Sequence, residues 1–156
     1  MIPLRRSGAA LALLVTAAAC GGSSASGPAP TSPEATVRSF MQAVRANSLV
    51  AMGDLWGSNR GPARSYMDRG ELEKRLTVIR EYLAHDSFTL LEDNEAVLRA
   101  GPGERILSVR VARNNCRPVV PFTLVQYRGG WLVKSIDLEA AGNPARGCPA
   151  RPTRSR

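Results

Sequence analysis

The sequence predicts a single α+β domain, with helices in its front half packed on an antiparallel sheet made by its back half. Three observations carry this expectation. Apolar residues recur at helical spacing between residues 33 and 84 and at alternate positions between residues 88 and 138. The strand candidates follow one another instead of alternating with helices, which favours an antiparallel meander over parallel β-α-β units. A chain of 156 residues, with about 110 between Thr31 and Ala141 carrying this patterning, has room for one modest core.

Each element has a local cause. Thr31 and Glu34 are spaced as a capping box, with Ser32 as an alternative cap and Pro33 tolerated in the first turn. Val37, Phe40, Met41 and Val44 then fall on one helical face. Asn47 and Ser48 interrupt that helix and can cap a second, in which Leu49, Met52, Leu55 and Trp56 repeat the spacing. Gly57 suits the left-handed residue that often closes a helix. After an Arg-rich loop, Glu71 to Ala84 forms a third helix, with Leu72, Leu76, Ile79 and Leu83 in register and Glu71 and Arg75 four residues apart.

The period then changes to two. Phe88 to Glu92 and Glu95 to Arg99 are short strand candidates around Asp93 and Asn94, which favour a tight turn. From Glu104 to Arg113, Leu107, Val109 and Val111 share one face, placing Ser108 and Arg110 toward solvent or a partner. Val119 to Tyr127 and Trp131 to Leu138 form a hairpin across Arg128, Gly129 and Gly130.

The ends of the chain read differently. Arg5 and Arg6 precede an uncharged run from Gly8 to Ala19. Twelve helical residues rise only about 18 Å, too short to span a bilayer, so residues 1–19 read as a signal peptide. Residues 20–31 are a linker whose Gly, Ser, Ala and Pro content between Gly21 and Pro30 predicts a disordered tether. Residues 140–156 form a basic Pro/Gly/Arg tail. Six of the 21 basic residues lie in the leader (Arg5, Arg6) and the tail (Arg146, Arg151, Arg154, Arg156), leaving 15 against 13 acidic ones. The formal charge of +8 is therefore mostly a property of the ends. The core domain carries no electrostatic footprint for nucleic acid.

Ala18, Ala19 and Cys20, followed by Gly21, Gly22, Ser23 and Ser24, resemble the lipobox of bacterial lipoproteins. The resemblance implies cleavage before Cys20, alkylation of its thiol with diacylglycerol and acylation, for example with palmitate, of the new amino terminus. Ala17 departs from the Leu preferred there, and ordinary cleavage after Ala19 with secretion of a soluble product is the alternative. Gly21 lacks the acid associated with inner-membrane retention. In an organism with two membranes this implies the periplasmic side of the outer membrane. Lipidation of Cys20 would leave Cys116 and Cys148 to pair in an oxidising compartment. The hairpin supports that pairing, because the chain after Leu138 returns toward the turn that carries Cys116.

The helices-then-strands order, with Pro33, Glu34, Ala35, Thr36, Val37, Arg38, Ser39 and Phe40 opening it and Gly130, Trp131, Leu132 and Val133 near its end, resembles the nuclear transport factor two-like, or SnoaL-like, superfamily. The resemblance covers about residues 32 to 139. It implies a cone in which a curved sheet wraps the first helix around a pocket. Such folds host isomerases, dehydratases, binding modules and dimerisation domains, so fold does not select among them.

Candidate chemistry is sparse. His85, the only histidine, stands beside Asp86, and such a pair could act as a general base. A helix C-terminus also favours His for electrostatic reasons alone. Arg60, Arg64 and Arg69 with Tyr66 could bind an anion at the mouth of a cone, or be a solvated loop. Trp131 could be a ligand platform, though aromatic bulk after a Gly turn more often packs a core or rim. The residues imply no metal site and no cofactor. The leading expectation is therefore an envelope lipoprotein, held in the bilayer through Cys20, whose non-catalytic domain binds a small apolar molecule or another envelope protein. An isomerase or dehydratase using His85 with an acid, and a homodimeric structural module, are the alternatives.

Overall fold

The computed structural model describes residues 28–91, 100–146 and 148. The predicted leader, Cys20 and the strand candidate from Glu95 to Arg99 lie outside these residues. Helices come first and strands second: α1 (Pro33–Arg45), α2 (Leu49–Leu55), a small hairpin of β1 (Gly57–Ser58) and β2 (Gly61–Pro62), a 3-10 turn (Ala63–Ser65) and α3 (Arg69–Leu83). Then come β3 (Ser87–Leu91), β4 (Glu104–Ala112), β5 (Val119–Tyr127), β6 (Gly130–Ile136) and a short helix α4 (Leu138–Ala141). β3 to β6 pair in sequence order as one antiparallel sheet, so the fold is α+β.

Short polar side chains set the helix starts. Of the two caps open to α1, Ser32 is used: its Oγ accepts from the Ala35 N–H at 3.1 Å. Ser48 does the same for α2, accepting from the Ala51 N–H at 3.2 Å. Asp68 caps α3 by accepting from the Glu71 N–H at 3.0 Å, which starts that helix at Arg69, two residues ahead of the expected Glu71. Each cap satisfies a donor that the first helical turn cannot, worth about 1 kcal/mol.

The core lies between the helices and one face of the sheet. Val37, Phe40, Met41 and Val44 of α1 are buried, and the Phe40 ring meets Phe122 of β5 edge-on with centroids 6.3 Å apart. Leu72, Leu76, Ile79 and Leu83 of α3 and Val109, Val120, Leu124 and Val133 of the sheet complete the same cluster. The Thr36 hydroxyl, also buried, lies 3.0 Å from the Ser32 carbonyl and 3.3 Å from that of Trp131, tying the first turn of α1 to β6.

Four local expectations are corrected. Gly57 is not a left-handed helix terminator, since it opens β1. Glycine is needed there because a Cβ would stand 2.2 Å from the Gly61 carbonyl oxygen. Ser108 does not face solvent but is 6% exposed between its register partners Leu91 and Pro121, whereas Arg110, on the same face, is exposed as expected. The β5–β6 turn consists of Arg128 and Gly129 alone, at φ 47° and 81°, the pair of left-handed residues that a two-residue hairpin requires. Gly130 is therefore the first residue of β6. Leu138 opens α4 instead of ending a strand, since Asp137 accepts from the Ala140 N–H at 2.9 Å and caps that turn. Pro30, the last residue expected in the tether, is held at the start of β6, where its carbonyl accepts from the Trp131 N–H at 2.9 Å.

One end of the sheet gathers the C-terminus. Cys116 and Cys148 form a disulfide with Cα atoms 5.1 Å apart, as the hairpin geometry predicts. Beside it, Arg113 is 8% exposed and donates to the carbonyls of Tyr82, Ala141 (2.6 Å) and Gly142 (3.1 Å). These acceptors sit at the C-terminal ends of α3 and α4, where the helix dipoles favour a cation. Desolvation by burial lowers the Arg113 pKa below the ordinary arginine value.

Candidate functional site

The outer flank of α3 is the starting point. Its inward row, Leu72, Leu76, Ile79 and Leu83, is buried, yet Val78 is 51% exposed. Lys74 and Val78 are one turn apart on the same face, and Arg75 precedes Val78 by three residues. Across from them runs the outer part of β6, and between the two lies a groove of about 430 Å³ lined by Trp56, Lys74, Arg75, Val78, Ile79, Lys134, Ser135, Ile136 and Leu138. Its volume is within the range of small-molecule sites.

Two features of the sheet shape this groove. Trp56, the residue that ends α2, bridges to Val133 and so covers the neighbouring stretch of the β6 edge. The β5–β6 register then shifts: Leu124 pairs with Val133 and Thr123 with Ser135, which leaves Lys134 as an extra, bulged residue. A bulge bends its strand and re-aims the side chains around it.

The groove is apolar with a cationic rim. No lining residue among the described ones is acidic. Arg75 is engaged by Glu71 at 2.8 Å, and the Lys134 ammonium by Glu104. Lys74 has no hydrogen-bond or ion-pair partner among the described residues, which leaves its charge available at the rim.

A second groove of about 450 Å³ separates α2 from α3, with Leu49, Val50, Gly53, Met67, Leu72 and Leu76 among its lining residues. Its charges are matched internally: Arg64 meets Asp54 at 2.5 Å and Arg69 meets Glu73 at 2.9 Å.

The residues singled out from sequence are dispersed. His85 and Asp86 point to different partners: the His85 Nδ1 lies 2.9 Å from the Leu83 carbonyl and its ring packs edge-on against Phe88, whereas the Asp86 carboxylate accepts from the Asn114 N–H at 3.1 Å. The His85 Nε2 atom is buried without a hydrogen-bond partner among the described residues. The helix α3 ends at Leu83, so both residues lie in the connection to β3, where each is held by a different partner. Arg64 and Arg69 both line the second groove, where Asp54 and Glu73 pair with them, while Arg60 stacks over the Tyr66 ring at 4.6 Å. Trp131 is half-buried against the core. Among the described residues no three His, Cys, Asp or Glu side chains gather as metal ligands, and no helix is long and apolar enough to cross a membrane.

Sequence reasoning missed the groove. The available signal was Val78, an apolar residue on the solvent side of an otherwise charged helix. Comparison of the chain with protein-family models, curated proteins and solved structures finds no match.

Proposed function

We propose that this chain is an exported, lipid-anchored binding protein whose domain, a cone of the nuclear transport factor two-like kind, holds a small apolar molecule in the groove between α3 and β6. The observation that carries the binding role is that groove, with an apolar wall of Trp56, Val78, Ile79, Ile136 and Leu138 beside exposed Val78. Binding is favoured over turnover because His85 and Asp86, the pair on which an isomerase or dehydratase reading depends, each engage a different backbone partner, the Leu83 carbonyl and the Asn114 N–H. The anchor rests on the leader ending in Ala17, Ala18, Ala19 and Cys20, and the disulfide between the two later cysteines fits an oxidising compartment outside the cytosol.

Cell fractionation followed by intact mass tests the anchor. The expected species sits in the membrane fraction, begins at Cys20, carries diacylglycerol and an added acyl chain, and has one disulfide. Recovery of a soluble cytosolic chain with Met1 and three reduced thiols overturns the anchor. For the groove, native mass spectrometry of the full chain should show a bound small molecule in the wild type that Val78→Asp releases.

A further inference from the structure

Resting on that reading, we infer that the groove selects a singly anionic amphiphile, a medium-chain alkyl carboxylate, with its chain along Val78, Ile79, Ile136 and Trp56 and its head at Lys74. Charge bookkeeping on the rim leads here. Among the described residues three cations line the groove and no acid does, but two of the three are already engaged, Arg75 by Glu71 and Lys134 by Glu104. One unmatched charge remains among the described lining residues, that of Lys74. An apolar ligand without a head group would leave that charge unused. A cationic head would meet repulsion, and a doubly charged phosphate monoester would find one free counter-charge for two. A carboxylate matches it one to one.

The spacing supports the assignment. Lys74 and Val78 are one helical turn apart, so a head at the first directs a chain over the second and down onto Ile79, whose side chain is buried in the core. The lysine stem adds apolar surface of its own while keeping its ammonium in water. Because Lys74 is exposed, the selectivity it confers is modest and salt-dependent.

Isothermal titration of the full chain with decanoate, decan-1-ol and decylammonium, each below its aggregation limit, tests this. In low salt decanoate should bind about fivefold more tightly than the alcohol, the upper range for an exposed ion pair, and decylammonium more weakly than either. Lys74→Gln should reduce decanoate to the affinity of the alcohol without moving the melting temperature, 0.5 M salt should do the same, and Val78→Asp should weaken all three. If the alcohol binds the wild type as tightly as decanoate, with Val78→Asp abolishing both, the head-group assignment falls and the groove remains. Binding of none of the three overturns the groove itself. Binding to anionic vesicles that survives Val78→Asp, with no decanoate binding, replaces the ligand by a membrane surface and overturns the assignment.

Discussion

Replacing Arg113 by Ala removes a cation that three backbone carbonyls use at once. Tyr82, Ala141 and Gly142 each lose their donor, and at 8% exposure for Arg113 the site admits little water to replace it. Hydrogen bonds to a charged group are worth about 1.5–3 kcal/mol each, and unsatisfied buried acceptors cost about 1–3 kcal/mol. The guanidinium is itself penalised by desolvation, the cause of its lowered pKa, which offsets part of this. The net loss is expected at about 3–5 kcal/mol, or a fall in melting temperature of roughly 12–20 °C at about 4 °C per kcal/mol. Arg113→Lys, keeping the charge but not the planar fork, should lose about half as much. Guanidinium unfolding followed by circular dichroism reads both variants. If Arg113→Ala unfolds within about 0.5 kcal/mol of the wild type, the convergence of two helix ends on one cation is not what holds α4 against α3, and the reasoning fails. No pH dependence from this group is expected near neutrality. Its lowered pKa makes folding release a proton only between the folded value and the ordinary arginine value, and stability from this term rises with pH across that alkaline window.

Two further outcomes follow from local geometry. Reduction of the Cys116–Cys148 disulfide, which closes a loop with a sequence separation of 32, should cost about 3–4 kcal/mol, read as a lower melting temperature in dithiothreitol that Cys116→Ser with Cys148→Ser reproduces and reductant no longer shifts. Gly57→Ala should cost about 1–3 kcal/mol, because the added Cβ meets the Gly61 carbonyl oxygen at 2.2 Å. In contrast Gly53→Ala, inside α2 and facing only the Leu76 and Leu72 side-chain ends at 3.4 and 3.6 Å, should be neutral or stabilising by up to about 1 kcal/mol; equal melting temperatures for the two variants would contradict this.

Much of the fold was legible from residue spacing. The apolar rows of α1 and α3 are the buried rows, and the change of period between Ala84 and Phe88 marks the passage from helices to sheet. The disulfide followed from counting cysteines and tracing one hairpin. Failures share a cause: they depend on what lies across space from a residue. Gly57 read as a helix terminator because its contact with Gly61 belongs to a hairpin too short to show a period. Ser108 read as solvent-facing because alternation identifies two faces without saying whether the second is covered. The candidate site was less legible still. Arg60, Arg64 and Arg69 look like a cluster in the sequence, but their guanidinium groups are claimed separately by Tyr66, Asp54 and Glu73.

By itself, then, the sequence determined the class of fold, the faces of the long helices and the pairing of Cys116 with Cys148, because each depends on periodicity or on chain connectivity, whereas the expected hairpin of Phe88–Glu92 with Glu95–Arg99 gives way to direct pairing of β3 with β4. Only the tertiary structure decided that Arg113 joins the ends of α3 and α4, that Lys134 is bulged out of register, and that Lys74 is the rim cation left unmatched among the described residues. Each depends on which groups meet in space, as when Arg113 reaches Tyr82 and Ala141 or Lys134 reaches Glu104, about thirty positions away. A charged side chain carries no mark in the sequence of which partner, across the fold, will neutralise it.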